Sequence, residues 1–334
     1  MVPEQKAAKI QQLREELGEV KYILEDEYLE QYLIARSWNT TQAKEQLLKT
    51  FEWREKNHID MYPVATKENK LPVLYAVRGF NSVPDSNLES LPGLSESVIR
   101  VNTYMGGSCL HKVDREGCPI YIERLGLHKA KEIAKHCKIE EVQEYHIGCN
   151  EFLHRVVMKD CSKASGRHIN RETVIFDCTG MGWHQLHMPA LNFIRAIADC
   201  DQQYYPETLN KFFLVNAPGA FVYVWKIVKA WLDPGTIAKI QILGADYKEA
   251  LLKQIAPENL PSFLGGECTC DHMDGGCVPS QVLKNVKPLI AQDYNEKTIT
   301  PYNIDIMTQA KTSTVMQGSP FYTTYQKEED INKK

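Results

Sequence analysis

The first part of the chain carries apolar side chains at helical spacing. Residues 4–17 are charged and amphipathic. A second stretch has an apolar stripe at i, i+3 and i+4, formed by Leu29, Tyr32 and Leu33. A third stretch, residues 41–56, offers four side chains for packing: Ala43, Leu47, Phe51 and Trp53. These three stretches predict a small helical domain over residues 1–60.

Between about residue 100 and residue 265, short apolar runs alternate with helical ones. Four runs bounded by turn residues predict strands: Pro119–Leu125, Thr173–Asp177, Phe212–Asn216 and Ile240–Leu243. Helical segments lie between or after them, at residues 139–158, 188–200 and 246–255. Strands that alternate with helices form layered α/β domains with a largely parallel sheet. We therefore expect an α/β domain over residues 99–267.

Two segments lack clear periodicity. Residues 61–98 contain prolines and several turn residues, so we expect an irregular linker there. After Gly265 and Gly266 the chain becomes polar. We expect residues 268–334 to form a weakly ordered tail.

Composition excludes some classes of protein. The chain has 334 residues, 43% of them hydrophobic, which is enough for a sizeable core. Its formal net charge of -4 gives no global positive field, so we expect no nucleic-acid partner. The N-terminus lacks the apolar core of a signal peptide, and no apolar run reaches the roughly 18 residues of a membrane span. We expect a cytoplasmic protein whose cysteines are mostly reduced thiols.

Residues 221–232, FVYVWKIVKAWL, form the most unusual segment. The run is apolar on nearly all sides except for Lys226 and Lys229, which share one face at i, i+3. A helix of this composition is either fully buried or faces lipid. At about 1.5 Å per residue it reaches only about 18 Å, too short to cross a bilayer. Taken alone, the segment fits equally a core helix and a lid over an internal lipid that also enters a membrane interface.

Long ordered stretches of the chain resemble the CRAL-TRIO lipid-binding family, and within it the Sec-fourteen-like phosphatidylinositol transfer proteins of fungi. They are YYPETLNKFFLVNAP, the apolar segment, DPGTIAKIQILG and YKEALLKQIAPENLPSFLGG. Residues 32–36, YLIAR, resemble the N-terminal helical domain of the family, and residues 117–121 resemble its first pocket strand. The resemblance covers roughly residues 5–266.

The resemblance implies a mixed, mostly parallel sheet that forms the floor of an apolar pocket, closed by a gate helix at residues 221–232. The pocket and gate residues that it implies are Tyr121, Phe221, Val224, Trp225, Val228 and Leu232. It also implies a phosphatidylinositol headgroup site formed by Arg36, Glu207, Thr236 and Lys239. A fixed cation and a hydroxyl donor suit a phosphodiester, and a carboxylate accepts hydrogen bonds from inositol hydroxyls.

Each headgroup residue also has a purely structural interpretation. Glu207 can cap a helix end near Pro206, Lys239 can be a solvated charge at a strand edge, and Arg36 can pair within the helical domain. The occurrence of all of them in the context of the family favours the headgroup site.

The chain departs from the family at a second lipid site, which holds phosphatidylcholine in the fungal protein with tyrosines and hydroxyl residues. By alignment its positions carry Leu110, Asn150, Glu172 and Val174, and Tyr121 alone is kept. Aromatic faces bind a choline cation. The replacement of the family's tyrosines and hydroxyl residues therefore argues against phosphatidylcholine exchange at that site. Phosphatidic acid, a sterol and a tocopherol-like lipid remain open as second ligands.

Metal and catalytic motifs are weak. Four residues could supply zinc ligands with C-x-C-x-H-x4-C spacing: Cys268, Cys270, His272 and Cys277. This spacing is tighter than that of common structural sites, so we expect no metal there, and none at His184 and His187. The chain has no GxSxG elbow, glycine-rich phosphate loop or HExxH motif. We expect no catalytic residue, no cofactor and no enzymatic activity, with Cys178 a buried thiol.

These observations predict a monomeric phosphatidylinositol-binding lipid transfer protein that exchanges phospholipid between membranes and supports phosphoinositide synthesis. Its expected partners are phosphatidylinositol, membranes and a phosphoinositide kinase, each bound transiently. Its expected location is the cytoplasm, with reversible association with Golgi or endosomal membranes. Two alternatives remain: a carrier of a tocopherol, sterol or retinoid, and a regulatory scaffold that senses lipid.

Overall fold

The computed structural model of the chain divides into two compact units. It describes residues 1–20, 22, 24–57, 59, 65–66, 76–83, 85, 87, 96–182, 185, 187–279 and 299–300. The first unit draws its residues from Met1–Leu71, Asp201–Thr208 and Glu296–Lys334. The second draws its residues from Pro72–Cys200 and Leu209–Asn295.

Three helices build the first unit, as the apolar spacing predicts. They are α1 (Pro3–Leu17), α2 (Asp26–Ala35) and α3 (Thr40–Lys56). Their apolar stripes meet in one core, which contains the fully buried Leu13, Leu29, Leu33 and Leu47. Helix α3 begins after Asn39, whose side chain accepts a hydrogen bond from the backbone N–H of Gln42.

The segment 201–208 packs in the same unit. Tyr204 stacks on the ring of Trp53 with 3.9 Å between ring centroids, and its carbonyl accepts a hydrogen bond of 3.2 Å from the Tyr32 hydroxyl. The side chain of Gln46 donates to the carbonyl of Gln202 at 2.9 Å. The sequence placed this segment inside one domain at residues 99–267. Its contacts with the helical unit join residues that are far apart along the chain, so a local pattern could not predict them.

Eight strands occur among the described residues. In chain order they are β1 (Ala65–Thr66), β2 (Ala76–Arg78), β3 (Ser108–Val113), β4 (Pro119–Glu123), β5 (Glu172–Asp177), β6 (Leu209–Val215), β7 (Ile240–Ile242) and β8 (Ile299–Thr300). Strands β1 and β8 pair antiparallel in the first unit. The other six form one sheet of the second unit, in the order β2-β3-β4-β5-β6-β7. In this sheet β3 and β4 run antiparallel and each other neighbouring pair is parallel, which confirms a mixed, mostly parallel sheet.

Helices cover both faces of this sheet. They are α4 (Glu96–Tyr104), α5 (Ala130–His136), α6 (Ile139–Phe152), α7 (Met158–Ser165), α8 (Met188–Tyr204), α9 (Phe221–Lys229), α10 (Pro234–Lys239) and α11 (Lys248–Gln254). A π-helical turn at Leu153–Val157 joins α6 to α7. The predicted helix at residues 139–158 therefore continues to Ser165.

One face of the sheet forms the main core of the second unit. Ile120, Ile122, Ile175 and Phe213 are buried in it together with residues of α11. Cys270, Cys277 and Val278 belong to the same core. The expectation of a weakly ordered tail from residue 268 was therefore wrong for residues 268–279; residues 280–298 and 301–334 lie outside the described part of the chain.

The segment 61–98, expected to be an irregular linker, contributes β1, β2 and the first residues of α4. Strand β2 pairs with β3 and places the guanidinium of Arg78 in a fully buried position. This group donates to the backbone carbonyls of Val77 at 2.9 Å and Gly276 at 3.1 Å. A strand of three residues is too short to show a period, so the sequence pattern could not reveal it.

Asp114 joins several elements at the turn between β3 and β4. Its buried carboxylate accepts hydrogen bonds of 2.7–3.1 Å from the backbone of Glu116 and Cys118 and from the side chains of Thr173, Asn210 and Gln254. These donors belong to the turn, to β5, to β6 and to α11. The carboxylate therefore fixes one end of the sheet to the helix that covers it.

We expect Asp114→Ala to lower the free energy of unfolding by about 3 kcal/mol, because it leaves buried donors without an acceptor. Urea denaturation followed by circular dichroism measures the change. Glu116→Ala is the matched control, since it removes an exposed carboxylate from the same turn, and we expect it to cost less than about 1 kcal/mol. Equal losses in the two variants would contradict the role of Asp114.

Candidate functional site

Helix α9 has an apolar inner face and an outer face that is also largely apolar. Its inner face packs on the sheet through two buried and two half-buried side chains: Phe221, Val224, Trp225 and Val228. Its outer face exposes apolar side chains by the stated fractions: Val222 58%, Tyr223 66% and Ile227 39%. The exposed Lys226 and Lys229 flank them. Among the described residues, no helix is long and apolar enough to span a membrane.

The sheet face under α9 is aromatic and only partly covered. Side chains that are directly opposite on neighbouring strands, or two residues apart on one strand, lie on the same face of a sheet. By this rule the strand registers place Tyr121, Phe176 and Phe212 on one face. The ring of Phe176 lies 6.5 Å from that of Tyr121 and 4.8 Å from that of Phe212, centroid to centroid. All three side chains are half-buried although central strands between helices are ordinarily fully buried. An apolar surface therefore remains accessible beneath the helix.

The remaining predicted gate residue follows the helix. Leu232 is half-buried, and its backbone N–H donates to the carbonyl of Lys229 at 3.4 Å, so the chain turns at the end of α9. Trp231 packs against the cluster that α9 completes. The predicted gate segment is thus a helix followed by one turn.

A buried carboxylate holds the hydroxyl of Tyr121. Glu123 accepts a hydrogen bond of 2.6 Å from that hydroxyl and lies 2.6 Å from the Nε2 atom of His128. Burial opposes ionisation of Glu123, but the hydrogen bond and charge of His128 and the bond from Tyr121 outweigh it and hold the pKa of Glu123 below its ordinary value. Burial and the Glu123 charge raise the pKa of Tyr121 well above its usual range. Tyr121 is therefore a neutral group with a fixed partner.

Three positions of the expected second lipid site form one row across neighbouring strands. Leu110 pairs with Tyr121, and Tyr121 pairs with Val174. Leu110 and Val174 are buried. Asn150 is buried on α6, where its side chain lies 3.2 Å from the Nε2 atom of His146, and Glu172 begins β5. Tyr121 is the single aromatic residue among the five aligned positions, and the row continues from Val174 to Phe212 on β6.

Thr236 and Lys239 lie one turn apart on α10. The helix begins after Asp233, whose carboxylate accepts the backbone N–H of Thr236 at 2.9 Å and its hydroxyl at 2.5 Å. Burial opposes ionisation of Asp233, but the bonds from Thr236, that from the Gly235 backbone and the charge of Lys239 outweigh it and lower the pKa of Asp233. Asp at the N-cap with proline at the first helical position starts this short helix, which leads directly into β7.

Arg36 and Glu207 belong to the first unit. Arg36 ends α2, and its backbone N–H donates to the carbonyl of Tyr32 at 3.1 Å. Glu207 adopts a φ of 59°, a left-handed conformation that is uncommon for glutamate. The carbonyl of Pro206 accepts a hydrogen bond of 3.4 Å from Gln31 of α2. Within this unit the segment that contains Glu207 therefore contacts α2, the helix that ends just before Arg36. Thr236 and Lys239 belong to the second unit.

The cysteine considered as a nucleophile is buried. Cys178 follows β5 and is 1% exposed. Burial, and then the neighbouring Asp177 carboxylate, raise the pKa of Cys178 to about 12. Its thiol is therefore protonated at neutral pH, which disfavours nucleophilic chemistry. His184 lies outside the described residues, so its spacing to His187 gives no placed pair.

Three of the four candidate zinc ligands come together, but with a different histidine. The Nε2 atom of His272 lies 2.7 Å from a carboxylate oxygen of Asp85. The ligand atoms of Cys268, Cys270 and Cys277 instead lie within 4.8 Å of one another and of a nitrogen of His111, which is on β3. The sequence interpretation grouped the cysteines with His272, and this choice of histidine was wrong. His111 is far from the cysteines along the chain, so the spacing of the motif could not indicate it.

The sheet is mostly parallel and has an accessible aromatic face, and the helix above that face is apolar on both sides. A protein with this arrangement is able to shelter an apolar ligand. The family model described as CRAL/TRIO domain matches residues 103–266. A relative from Schizosaccharomyces pombe named Sec14 cytosolic factor is 30% identical over 272 residues, which cover 81% of this chain and 84% of the relative. The chain belongs to the CRAL/TRIO family.

Other similar proteins cover different shares of the chain. The Arabidopsis thaliana protein named phosphatidylinositol/phosphatidylcholine transfer protein SFH11 is 44% identical over 169 residues, or 50% of this chain. The match spans 44% of that relative, less than half of its length. The crystal structure of Sfh5 covers 92% of this chain and 95% of its own, with a TM-score of 0.50 and 17% identity. This likeness supports the fold alone.

Proposed function

We propose that this protein binds phosphatidylinositol and exchanges phospholipid between membranes. The observation that carries the proposal is the pair of apolar faces on α9, one over a partly accessible aromatic sheet face and one toward solvent. Acyl chains complete the packing of the sheet face, since each buried methylene contributes about 0.8 kcal/mol. The tails therefore supply most of the affinity.

The outer face of α9 docks on the membrane. Val222, Tyr223 and Ile227 enter the interface, and Lys226 and Lys229 attract anionic lipid by about 1 kcal/mol each. A helix of nine residues with three exposed apolar side chains binds a membrane weakly and reversibly. Weak docking suits a carrier, which must leave the membrane after each exchange.

The choice of headgroup rests on α10 and on the names of the relatives. Thr236 and Lys239 offer a hydroxyl and a cation to a phosphodiester. For the first unit we also propose that Arg36 offers a cation and Glu207 an acceptor for inositol hydroxyls, as the family resemblance implies. The Arabidopsis relative is named for phosphatidylinositol and phosphatidylcholine transfer.

The proposal extends to the setting of the protein. The carrier acts as a monomer without catalysis or cofactor, in the cytoplasm, and associates reversibly with Golgi or endosomal membranes. It supplies phosphatidylinositol to a phosphoinositide kinase. Its partners are therefore lipid and, transiently, that kinase.

Exchange of labelled phosphatidylinositol between donor and acceptor vesicles tests the proposal. We expect catalytic amounts of the full chain to move phosphatidylinositol, and to move phosphatidylcholine more slowly because Tyr121 alone is kept among the aligned positions of the second lipid site. A folded protein that moves a tocopherol, sterol or retinoid but no phosphatidylinositol would overturn the proposal in favour of the alternative carrier.

A further inference from the structure

The four clustered side chains of His111, Cys268, Cys270 and Cys277 have the spacing of a metal site. The sulfur atoms of Cys268 and Cys270 lie 3.5 Å apart, and that of Cys270 lies 3.4 Å from the Nε2 atom of His111. All four ligand atoms lie within 4.8 Å of one another. A tetrahedral zinc ion with Zn–S bonds of about 2.3 Å needs ligand atoms about 3.8 Å apart. The observed distances therefore bracket those that zinc requires.

The donor set and its surroundings select the type of site. Three thiols and one imidazole form a Cys3His set, which is typical of structural zinc and leaves no open coordination position. His111 is fully buried, Cys270 is 6% exposed and Cys277 is 5% exposed. A catalytic zinc instead keeps a position for water or substrate.

A neighbouring cation balances the charge of such a site. Three thiolates and one zinc ion carry a net charge of about -1. Lys112 follows His111 on β3, and its positive charge acts on the Cys268 thiol. The Lys112 ammonium group donates to the carbonyl of Glu258 at 2.7 Å, which holds it in place.

Contacts outside the cluster already hold the cysteine loop against β2 and its neighbours. Arg78 donates to the carbonyl of Gly276 at 3.1 Å, and the side chain of Asn87 donates to the carbonyl of Asp274 at 3.1 Å. His272 of the same loop pairs with Asp85. Outer contacts of this kind orient the ligands of metal sites before the ion binds.

From this geometry we propose that His111, Cys268, Cys270 and Cys277 bind one zinc ion, which fastens residues 268–278 to strand β3. The ion links the end of the described lipid-binding unit to its sheet. The ion stabilises the folded chain. Its four ligands are separate in sequence from α9 and α10, and none of them belongs to the proposed lipid site. The proposal is therefore independent of the lipid that the protein carries.

Metal analysis of the full chain, expressed with zinc and purified under reducing conditions without chelator, tests this site. We expect one zinc ion per chain, and a lower melting temperature after a strong chelator is added. Replacement of zinc by cobalt should give the visible spectrum of a tetrahedral thiolate site. A folded wild-type chain that holds no zinc at saturating metal would overturn the proposal.

Variants distinguish this site from a cluster of buried thiols. Cys277→Ser should lose zinc and the effect of the chelator on melting, whereas Cys178→Ser, which changes a buried thiol elsewhere, should keep both. His272→Ala should also keep zinc, because that histidine pairs with Asp85. If Cys277→Ser fails to fold, the cobalt spectrum of the wild type decides. Zinc retained by folded Cys277→Ser, or a disulfide between Cys268 and Cys270 in the reduced preparation, would refute the assignment.

Discussion

Val222→Asp combined with Tyr223→Asp should reduce exchange of phosphatidylinositol between vesicles about 100-fold. The two side chains are 58% and 66% exposed on the outer face of α9. Full burial of each contributes about 1.5–3 kcal/mol, and partial insertion of both gives about 3 kcal/mol, which corresponds to about 100-fold in binding. The introduced carboxylates are also repelled by anionic lipid. Vesicle flotation and the transfer assay measure docking and exchange separately.

The inner face of α9 is unchanged in this variant, so the amount of bound lipid should stay as in the wild type. Leu48→Asp is the matched control, since Leu48 is 44% exposed on α3 and belongs to the helical unit. We expect this control to exchange lipid normally. Normal exchange by the folded double variant would show that α9 does not dock on the membrane.

Lys239→Ala should slow exchange of phosphatidylinositol by about 10-fold to 100-fold. A hydrogen bond to a charged group contributes about 1.5–3 kcal/mol, and the variant removes the cation that α10 offers to the phosphate. Lys239→Arg keeps the charge and should restore part of the activity. The initial rate of transfer at equal protein concentration measures the effect.

Lys253→Ala is the matched control for charge, because Lys253 is an exposed lysine on α11 in the same unit. We expect it to transfer phosphatidylinositol at the wild-type rate. If folded Lys239→Ala also does so, the assignment of α10 to the headgroup is wrong, while the role of α9 stands on its own test.

The strands that the sequence predicts are those with strong local patterns. The runs at β4, β5, β6 and β7 are short, apolar and bounded by turn residues, and each proves to be a strand. Strands β2 and β3 carry mixed polarity, and their positions depend on pairing with each other. Local periodicity does not contain that information.

Helix α9, the predicted gate, illustrates a different limit. Its composition predicts a helix that is apolar on nearly all sides, and α9 has apolar residues on both faces. Which face packs inward depends on the register of the sheet beneath it. The alternation of Phe176 and Phe212 with buried neighbours along their strands could have indicated the partly covered face, but only once the strands were paired.

The cysteine cluster could be anticipated only in part. Cys268, Cys270 and Cys277 were candidate ligands together with His272, but their spacing is tighter than in common structural sites, so the sequence predicted no metal there. The actual neighbour, His111, comes from β3, and the contact exists because the chain returns to that strand after α11. Tertiary contacts of this kind require the fold before the site can be assigned.

Mass spectrometry of lipid extracted from the full chain, purified from a host that makes phosphatidylinositol, tests the central claim most directly. We predict one phosphatidylinositol molecule per chain in the folded protein, held over the aromatic face of β4, β5 and β6. A folded protein that contains no lipid, and gains none when it is incubated with phosphatidylinositol vesicles, would contradict the account.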